Sequence, residues 1–168
     1  MILATLVYVK QNGHTLMLHR VKKLNDFHEG KWNGMGGKFE KGETPEQCAT
    51  REVWEESGLR LRSLHYHGLL LFAGFNNDDW YVWVYSSDDF DGELMSNPPE
   101  GDLKWIPDAE VASLNLWPSD TVFLPWIEQD IRFSARFQFD YDKFIDHTVT
   151  FFDHPSGQVF DGRNPQVV

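Results

Sequence analysis

The sequence predicts an α/β fold built on a mixed β-sheet. Segments of alternating or β-branched apolar residues occur at both ends of the chain, next to tight-turn signals, and helical segments lie between them. The length of 168 residues corresponds to one domain, and neither a repeat nor a change in composition marks a second one. We therefore expect one domain over residues 1–153, followed by a C-terminal tail over residues 154–168.

The first predicted elements are two strands joined by a tight turn. Residues 2–9 are apolar and partly β-branched, and residues 14–21 alternate between the two faces of a strand. Asn12 and Gly13 between them favour a hairpin turn. A loop and then a glycine-rich stretch over residues 32–39 are expected to follow.

The next segment has a complete set of helix end signals. Thr44 is a good N-cap, Pro45 suits the first helical position, and Gln47 completes a capping box. Gly58 is the residue type that commonly ends a helix. We therefore expect a helix between Thr44 and Gly58.

The rest of the chain is predicted to mix strands and helices. Strands are expected at residues 60–73, 80–86, 103–106, 134–140 and 146–152. Helices are expected at residues 108–114 and 119–129, each with an acidic or hydroxyl residue at its start. A turn over residues 74–78 and a polar loop over residues 87–101 separate these elements.

Charge and cysteine content limit the classes of function. The 26 acidic and 15 basic residues give a net charge of −11, which repels a nucleic acid polymer but allows a small anionic substrate bridged by cations. Cys48 is the sole cysteine, so no intrachain disulfide forms, as is usual in a reducing compartment. The apolar residues 1–9 lack a basic start and are too short to span a membrane. We expect a soluble cytoplasmic protein with no membrane partner.

The predicted helix carries three carboxylates on one side. Successive helical residues advance by about 100°, so Glu52, Glu55 and Glu56 share an arc of roughly 100°. Like charges at this spacing repel one another, and hard divalent cations prefer carboxylate oxygens. The arc is therefore either a solvated acidic face or a cation site. Arg51 is placed to form an ion pair with Glu43, which lies before the helix.

The spacing around this helix resembles the signature of the Nudix hydrolases. Gly37, Glu43 and the run from Arg51 to Leu59 fill every defined position of the pattern GX5EX7REUXEEXGU. The resemblance implies an α/β/α sandwich that binds Mg²⁺ or Mn²⁺ and hydrolyses a nucleoside diphosphate linked to another group. It implies catalytic roles for Glu43, Arg51, Glu52, Glu55, Glu56 and Glu100. The implied metal ligands are the carbonyl of Gly36 and the carboxylates of Glu52, Glu55, Glu56 and Glu100.

The flanking sequence is similar to the MutT-type oxidised purine nucleoside triphosphatases. The segments that carry this likeness are HEGKW, WNGMGGK, WPSD and FSARF. By analogy, Asn33 and Asp120 contact the base edge, Trp117 stacks on the base, and Lys23 lies near the sugar or phosphates. The residues expected to bind substrate are Tyr8, Lys23, Phe27, Asn33, Phe72, Trp117 and Asp120.

Each of these residues also has a plain structural interpretation. Tryptophan and phenylalanine commonly fill cores, and Asn33 suits a turn. Asp120 suits the first turn of a helix, whereas Lys23 and Glu100 suit an exposed surface or loop. One position departs from the mammalian branch, because Ser119 stands where those enzymes have the first of two adjacent acids.

The function that the resemblance implies is hydrolysis of 8-oxo-dGTP to 8-oxo-dGMP and pyrophosphate, with Mg²⁺ or Mn²⁺ as cofactor. One alternative is a Nudix hydrolase for another nucleotide: an unmodified triphosphate, a methylated purine triphosphate or a nucleotide sugar. A second alternative is a sensor that binds a nucleotide without cleaving it. The expected partner is a small nucleotide, and the protein is expected to be a monomer or a homodimer.

Two further features have structural interpretations. His65 and His67 alternate along a predicted strand and share a face, but no third metal ligand is evident from the sequence. We therefore interpret them as ordinary strand residues. Cys48 has no evident base partner and is interpreted as a buried structural thiol.

Overall fold

A computed structural model describes residues 1–22, 27–152 and 159–161 of the chain. The strands are β1 (Ile2–Gln11), β2 (His14–His19), β3 (Trp32–Asn33), β4 (Arg60–Leu61), β5 (His65–Phe75), β6 (Asp78–Ser87), β7 (Phe90–Asp91), β8 (Asp102–Pro107), β9 (Phe133–Tyr141), β10 (Lys143–Phe151) and β11 (Val159–Asp161). The helices are α1 (Pro45–Ser57), α2 (Asp108–Val111) and α3 (Asp120–Glu128).

One large mixed sheet organises the fold. Its strands follow the order β11-β10-β9-β5-β6-β1-β2-β3, and β8 also pairs with β2. Strand β1 runs parallel to β6 and β5 runs parallel to β9, whereas the other pairs in this sheet are antiparallel. The predicted α/β class with a mixed sheet is therefore confirmed.

The two faces of this sheet carry separate cores. Alternate residues of a strand point to opposite faces, so Val7 and Val9 pack with Ala49 and Val53 of α1 on one side. Ala4 and Tyr8 belong to the core on the other side, which includes Phe123 of α3. The sheet thus lies between helices on both faces, as expected for an α/β/α sandwich.

Helix α1 begins and ends where its local signals predict. The Thr44 hydroxyl accepts a hydrogen bond from the Gln47 amide at 3.3 Å, and the Gln47 side chain accepts one from the Thr44 amide at 2.9 Å. Gly58 ends the helix with φ of 82°, a left-handed conformation that favours glycine.

Several other elements differ from their predicted bounds. The strand expected over residues 60–73 is interrupted, and β5 then continues to Phe75. Asn76 and Asn77 make the turn with φ of 51° and 61°. The loop expected over residues 87–101 contains the short strand β7. The helix expected over residues 108–114 ends after a single turn, because Ser113 bonds back to the carbonyl of Glu110.

Part of the predicted tail joins the sheet. Strand β11 pairs antiparallel with β10, with Phe160 opposite Val149. The boundary near residue 153 stays a prediction, because residues 153–158 and 162–168 lie outside the described residues. Within the described part of the chain, no helix has the length and hydropathy needed to span a membrane.

We predict that Thr44→Ala lowers the free energy of unfolding by about 1 kcal/mol, because it removes the N-cap acceptor of α1. Urea denaturation of the two proteins measures this difference. Thr50→Ala, which makes the same chemical change inside the helix, is the control and should stay within about 0.5 kcal/mol of the parent. Equal losses in both variants would refute a specific capping role.

Candidate active site

The three carboxylates of the α1 arc differ in exposure. Glu56 is buried, with 5% of its surface exposed, whereas the side chain of Glu55 is 48% exposed. The Gly36 amide donates a hydrogen bond to Oε2 of Glu56 at 2.9 Å. The arc is therefore not simply a solvated acidic face, because its most buried carboxylate is aimed at the glycine-rich segment.

That segment lies directly against β1. The amides of Thr5 and Val7 donate to the carbonyls of Gly37 and Met35 at 2.9 and 2.7 Å. A Cβ on Gly36 would lie 2.1 Å from the Thr5 carbonyl oxygen, and one on Gly37 would lie 2.4 Å from the carboxylate carbon of Glu52. Position 36 therefore needs glycine, because its backbone lies against the central strand, whereas a side chain at position 37 would displace the Glu52 carboxylate.

Arg51 holds the start of this acidic region together. Its guanidinium donates to both oxygens of Glu43 at 2.6 and 2.9 Å, which confirms the expected ion pair. It also donates to Glu52 at 2.7 Å and to Glu55 at 3.1 Å. Hydrogen bonds from Arg51 are the main reason that the pKa of Glu43 is lowered to about 2. These hydrogen bonds therefore hold Glu43 beside α1 and link it to Glu52 and Glu55.

Glu100 approaches the same region from the loop before β8. It forms an ion pair with Arg20, at the end of β2. Burial raises the pKa of Glu52 and, well above the usual range, that of Glu56. The negative charge of Glu100 raises both pKa values further. Two carboxylates of α1 and one from a distant loop therefore lie close enough to repel one another.

This donor set fits a hard divalent cation. It consists of carboxylate oxygens, with the Gly36 peptide beside them, and Mg²⁺ is usually bound by a few such oxygens plus substrate phosphates. A cation would relieve the repulsion that adds to the effect of burial on the pKa values of Glu52 and Glu56. Arg51 and Arg20 offset only part of this negative charge, because they are two cations and their carboxylate partners alone number four: Glu43, Glu52, Glu55 and Glu100.

A cleft of about 150 Å³ lies next to the glycine-rich segment. Four of the residues predicted to bind substrate line it: Asn33, Phe72, Trp117 and Asp120. Gly36 and Gly37 also line it, so the cleft opens onto the carboxylate region. His28, Gly34 and Ser119, which belong to the segments that carry the family likeness, also line it, whereas the sequence did not indicate the remaining lining residues: Thr5, Leu6, Arg20, Phe75, Trp80 and Val82.

Trp117 is held by aromatic neighbours. Its ring stacks on Phe27 with centroids 5.3 Å apart, and Phe75 packs edge-on at 5.0 Å. Its indole N–H donates to Nδ1 of His28 at 2.9 Å. Phe27 therefore supports Trp117 from behind and does not itself line the cleft.

Asp120 is the first residue of α3 and lies in the cleft wall. Only 8% of its surface is exposed, and the Ser119 hydroxyl donates to its Oδ1 at 3.2 Å. Burial raises its pKa from 3.8 to about 7, against opposing hydrogen bonds and the charge of Lys31. This side chain is therefore poised between a neutral and an ionised form near neutral pH.

Of the two remaining predicted residues, the structure describes Tyr8 alone. Tyr8 is buried in the core on the α3 side, where burial and the nearby charge of Asp120 raise its pKa. It lies beneath the cleft and does not line it. Lys23 lies outside the described residues.

Comparison with known proteins agrees with this geometry. The NUDIX domain model matches residues 2–127. The chain therefore belongs to the Nudix family.

Among its relatives are proteins named oxidized purine nucleoside triphosphate hydrolase. The zebrafish (Danio rerio) protein is 35% identical over 152 residues, covering 88% of this chain and 93% of the relative. The mouse (Mus musculus) protein is 33% identical over 149 residues, with the same coverage of 88% and 93%. The fold is also that of a MutT protein from Bacillus halodurans, with a TM-score of 0.79 and 23% identity over 89% of this chain and 97% of the other.

The raised pKa of Asp120 gives a testable dependence of stability on pH. The folded state holds a proton on Asp120 up to about pH 7, whereas the unfolded state releases it near pH 3.8. The part of the unfolding free energy that depends on this proton is therefore lost as the pH rises from about 4 through about 7. We predict that the unfolding free energy of the parent, minus that of Asp120→Asn, falls as the pH rises from about 4 to about 7. Urea denaturation across this range measures it, and parallel curves would contradict the prediction.

Proposed function

We propose that this protein hydrolyses oxidised purine nucleoside triphosphates, with 8-oxo-dGTP cleaved to 8-oxo-dGMP and pyrophosphate. The observation that carries the proposal is the continuity between a base-sized cleft and the carboxylate helix. Asn33 and Asp120 lie in the cleft, and Gly36 and Gly37 connect it to Glu52 and Glu56. The names of the zebrafish and mouse relatives support the same substrate class.

The residues proposed to hold Mg²⁺, or Mn²⁺, are Gly36, Glu52, Glu55, Glu56 and Glu100. When bound, such an ion neutralises charge on the diphosphate. It also lowers the pKa of water, which supplies a hydroxide that can attack phosphorus. The Gly36 amide orients Glu56, and Arg20 fixes Glu100. Arg51 ties Glu43 and Glu52 together at the start of the site.

Base recognition is proposed to depend on Asp120 and Asn33. An amide offers both donors and acceptors. A carboxyl group near its pKa can donate when it is protonated and accepts when it is ionised. Oxidation of guanine at position 8 converts N7 from an acceptor into a donor and adds a carbonyl oxygen. A base that leaves the buried Asp120 without a partner loses affinity, because an unsatisfied buried polar group is costly.

Ser119 favours a second candidate, in which another nucleotide is the preferred substrate. Its side chain is buried and donates to Asp120, so a neutral donor occupies the place of an acid in the mammalian branch. An unmodified triphosphate, a methylated purine triphosphate and a nucleotide sugar are the alternatives that a substrate panel separates.

Location and assembly stay predictions. The net charge of −11 supports a small nucleotide rather than a nucleic acid polymer as the ligand. We propose the cytoplasm as the compartment, on the basis of the single buried thiol of Cys48, and a monomer or homodimer as the assembly.

We predict that the protein with Mg²⁺ releases pyrophosphate from 8-oxo-dGTP in strong preference to dGTP at the same low concentration. Glu56→Gln should lower turnover by more than about 100-fold while the fold is retained, because it removes a charge from the proposed metal site. Pyrophosphate release and circular dichroism measure the two effects. Orthophosphate as the product, or equal activity on both nucleotides, would overturn the proposed reaction.

We predict that Asp120→Asn lowers kcat/KM for 8-oxo-dGTP by roughly 10- to 100-fold, corresponding to one buried hydrogen bond. Its effect on dGTP should be much smaller, so that selectivity falls. Asp91→Asn, at a surface ion pair with Arg62, is the matched control and should leave both rates unchanged. An equal loss on every nucleotide would assign Asp120 a structural role.

A further inference from the structure

A second group of potential metal ligands lies away from the cleft. The ring Nε2 of His65 is 2.6 Å from Oδ1 of Asp130, and Nδ1 of His67 is 3.9 Å from the same oxygen. The three ligand atoms all lie within 4.8 Å of one another. Asp130 is the third ligand that the sequence alone did not reveal, because it is 65 residues away from His65 along the chain.

The fold brings these residues together from two elements. His67 lies where the pairing of β5 with β6 shifts, between Tyr66 and Gly68, and such irregularities redirect side chains. Asp130 follows the end of α3, where its amide donates to the carbonyl of Ile127 at 3.0 Å. The cluster therefore joins the start of β5 to the residues that directly follow α3.

His67 has an unpartnered nitrogen that faces this cluster. The residue is 4% exposed, and its Nε2 lies 2.8 Å from the Ser86 hydroxyl. Its Nδ1 is buried and has no hydrogen-bond partner among the described residues. Burial is the main reason that the pKa of His67 is lowered to about 4, which keeps the ring neutral. When Nε2–H donates to Ser86, Nδ1 presents a lone pair towards Asp130.

We propose that His65, His67 and Asp130 form a binding site for Zn²⁺. Two imidazole nitrogens and one carboxylate oxygen are a common zinc donor set, whereas Mg²⁺ favours oxygen alone. Ligands in a tetrahedral zinc site lie about 3.3 Å apart, given bonds of about 2.0–2.1 Å. The observed separations of 2.6 and 3.9 Å lie on either side of that value. Exposed side chains at His65 and Asp130 allow the adjustment.

The surroundings leave room for further ligands. The cluster opens into a cavity of about 530 Å³, so water or a substrate group can reach a fourth position. Within the described part of the chain, this cavity and the base cleft share no lining residue. Lys10 lines the cavity, and its positive charge contributes to the lowered pKa of His67. Glu128 and Asp108 pair with its ammonium group and offset part of that charge.

The Ser86 hydroxyl has a distinct role in this site. Zinc-bound histidines usually donate their other ring N–H to a nearby acceptor, which fixes the tautomer and the ring orientation. Ser86 supplies this acceptor for His67. It is therefore a positioning residue, and its removal should weaken the site without removing a ligand.

The test measures Zn²⁺ binding to the full chain carrying Glu52→Gln and Glu56→Gln, so that the carboxylate site does not take up the ion. Isothermal titration calorimetry should give one equivalent of tightly bound Zn²⁺. Co²⁺ in its place should give the intense visible absorption of a tetrahedral site. The chain with its native glutamates, saturated with Mg²⁺, should show a rise in Tm on adding Zn²⁺, because the ion joins α3 to β5.

Substitutions at the exposed ligands separate this site from non-specific binding. His65→Ala and Asp130→Asn should each weaken Zn²⁺ binding more than tenfold and abolish the rise in Tm, and Ser86→Ala should weaken binding about tenfold. His14→Ala, which removes a partly exposed histidine elsewhere on the sheet, should bind as the parent does. Absence of stoichiometric binding, an octahedral Co²⁺ spectrum, or equal binding by all the variants would overturn the proposal. These readouts do not depend on nucleotide hydrolysis.

Discussion

The contact between the glycine-rich segment and the α1 carboxylates is the constraint on which the rest of the site depends. The Gly36 peptide is pressed against β1 on one side and donates to Glu56 on the other. Only a backbone without Cβ atoms fits at this position. The central strand of the sheet therefore determines how far α1 can lie from it, and so where its carboxylates converge.

The alternation of residues along β1 places the carboxylate region and the cleft on opposite faces of one strand. Val7 packs towards α1 and the carboxylates, whereas Leu6 faces the cleft and the α3 side. The glycine-rich segment passes between these regions at the level of Thr5. The proposed substrate has a matching division, with an aromatic base for the cleft and an anionic phosphate chain for the carboxylate region beside it.

Local signals predicted α1 closely, and long-range contacts limited the prediction elsewhere. The capping box at Thr44 and the stop at Gly58 depend on neighbours within a few residues, so the sequence alone defines them. Asp120 and Trp117 could be identified through resemblance, but Arg20 and Trp80 gave no local signal. Phe75 was predicted to lie in a turn, because Gly74 before it and Asn76 and Asn77 after it are typical turn residues. Asp130, the third member of the cluster with His65 and His67, could be found only from the tertiary structure.

The short strand β11 has a consequence for the outer edge of the sheet. Its pairing along Thr148, Val149 and Thr150 occupies backbone groups of β10 that would otherwise face water. Unpaired strand edges are templates for association with other chains. A shortened protein that ends before residue 159 would retain α1 and the cleft, but it would leave this edge of β10 unpaired. The pairing of residues 159–161 therefore shields this edge of the sheet from other chains.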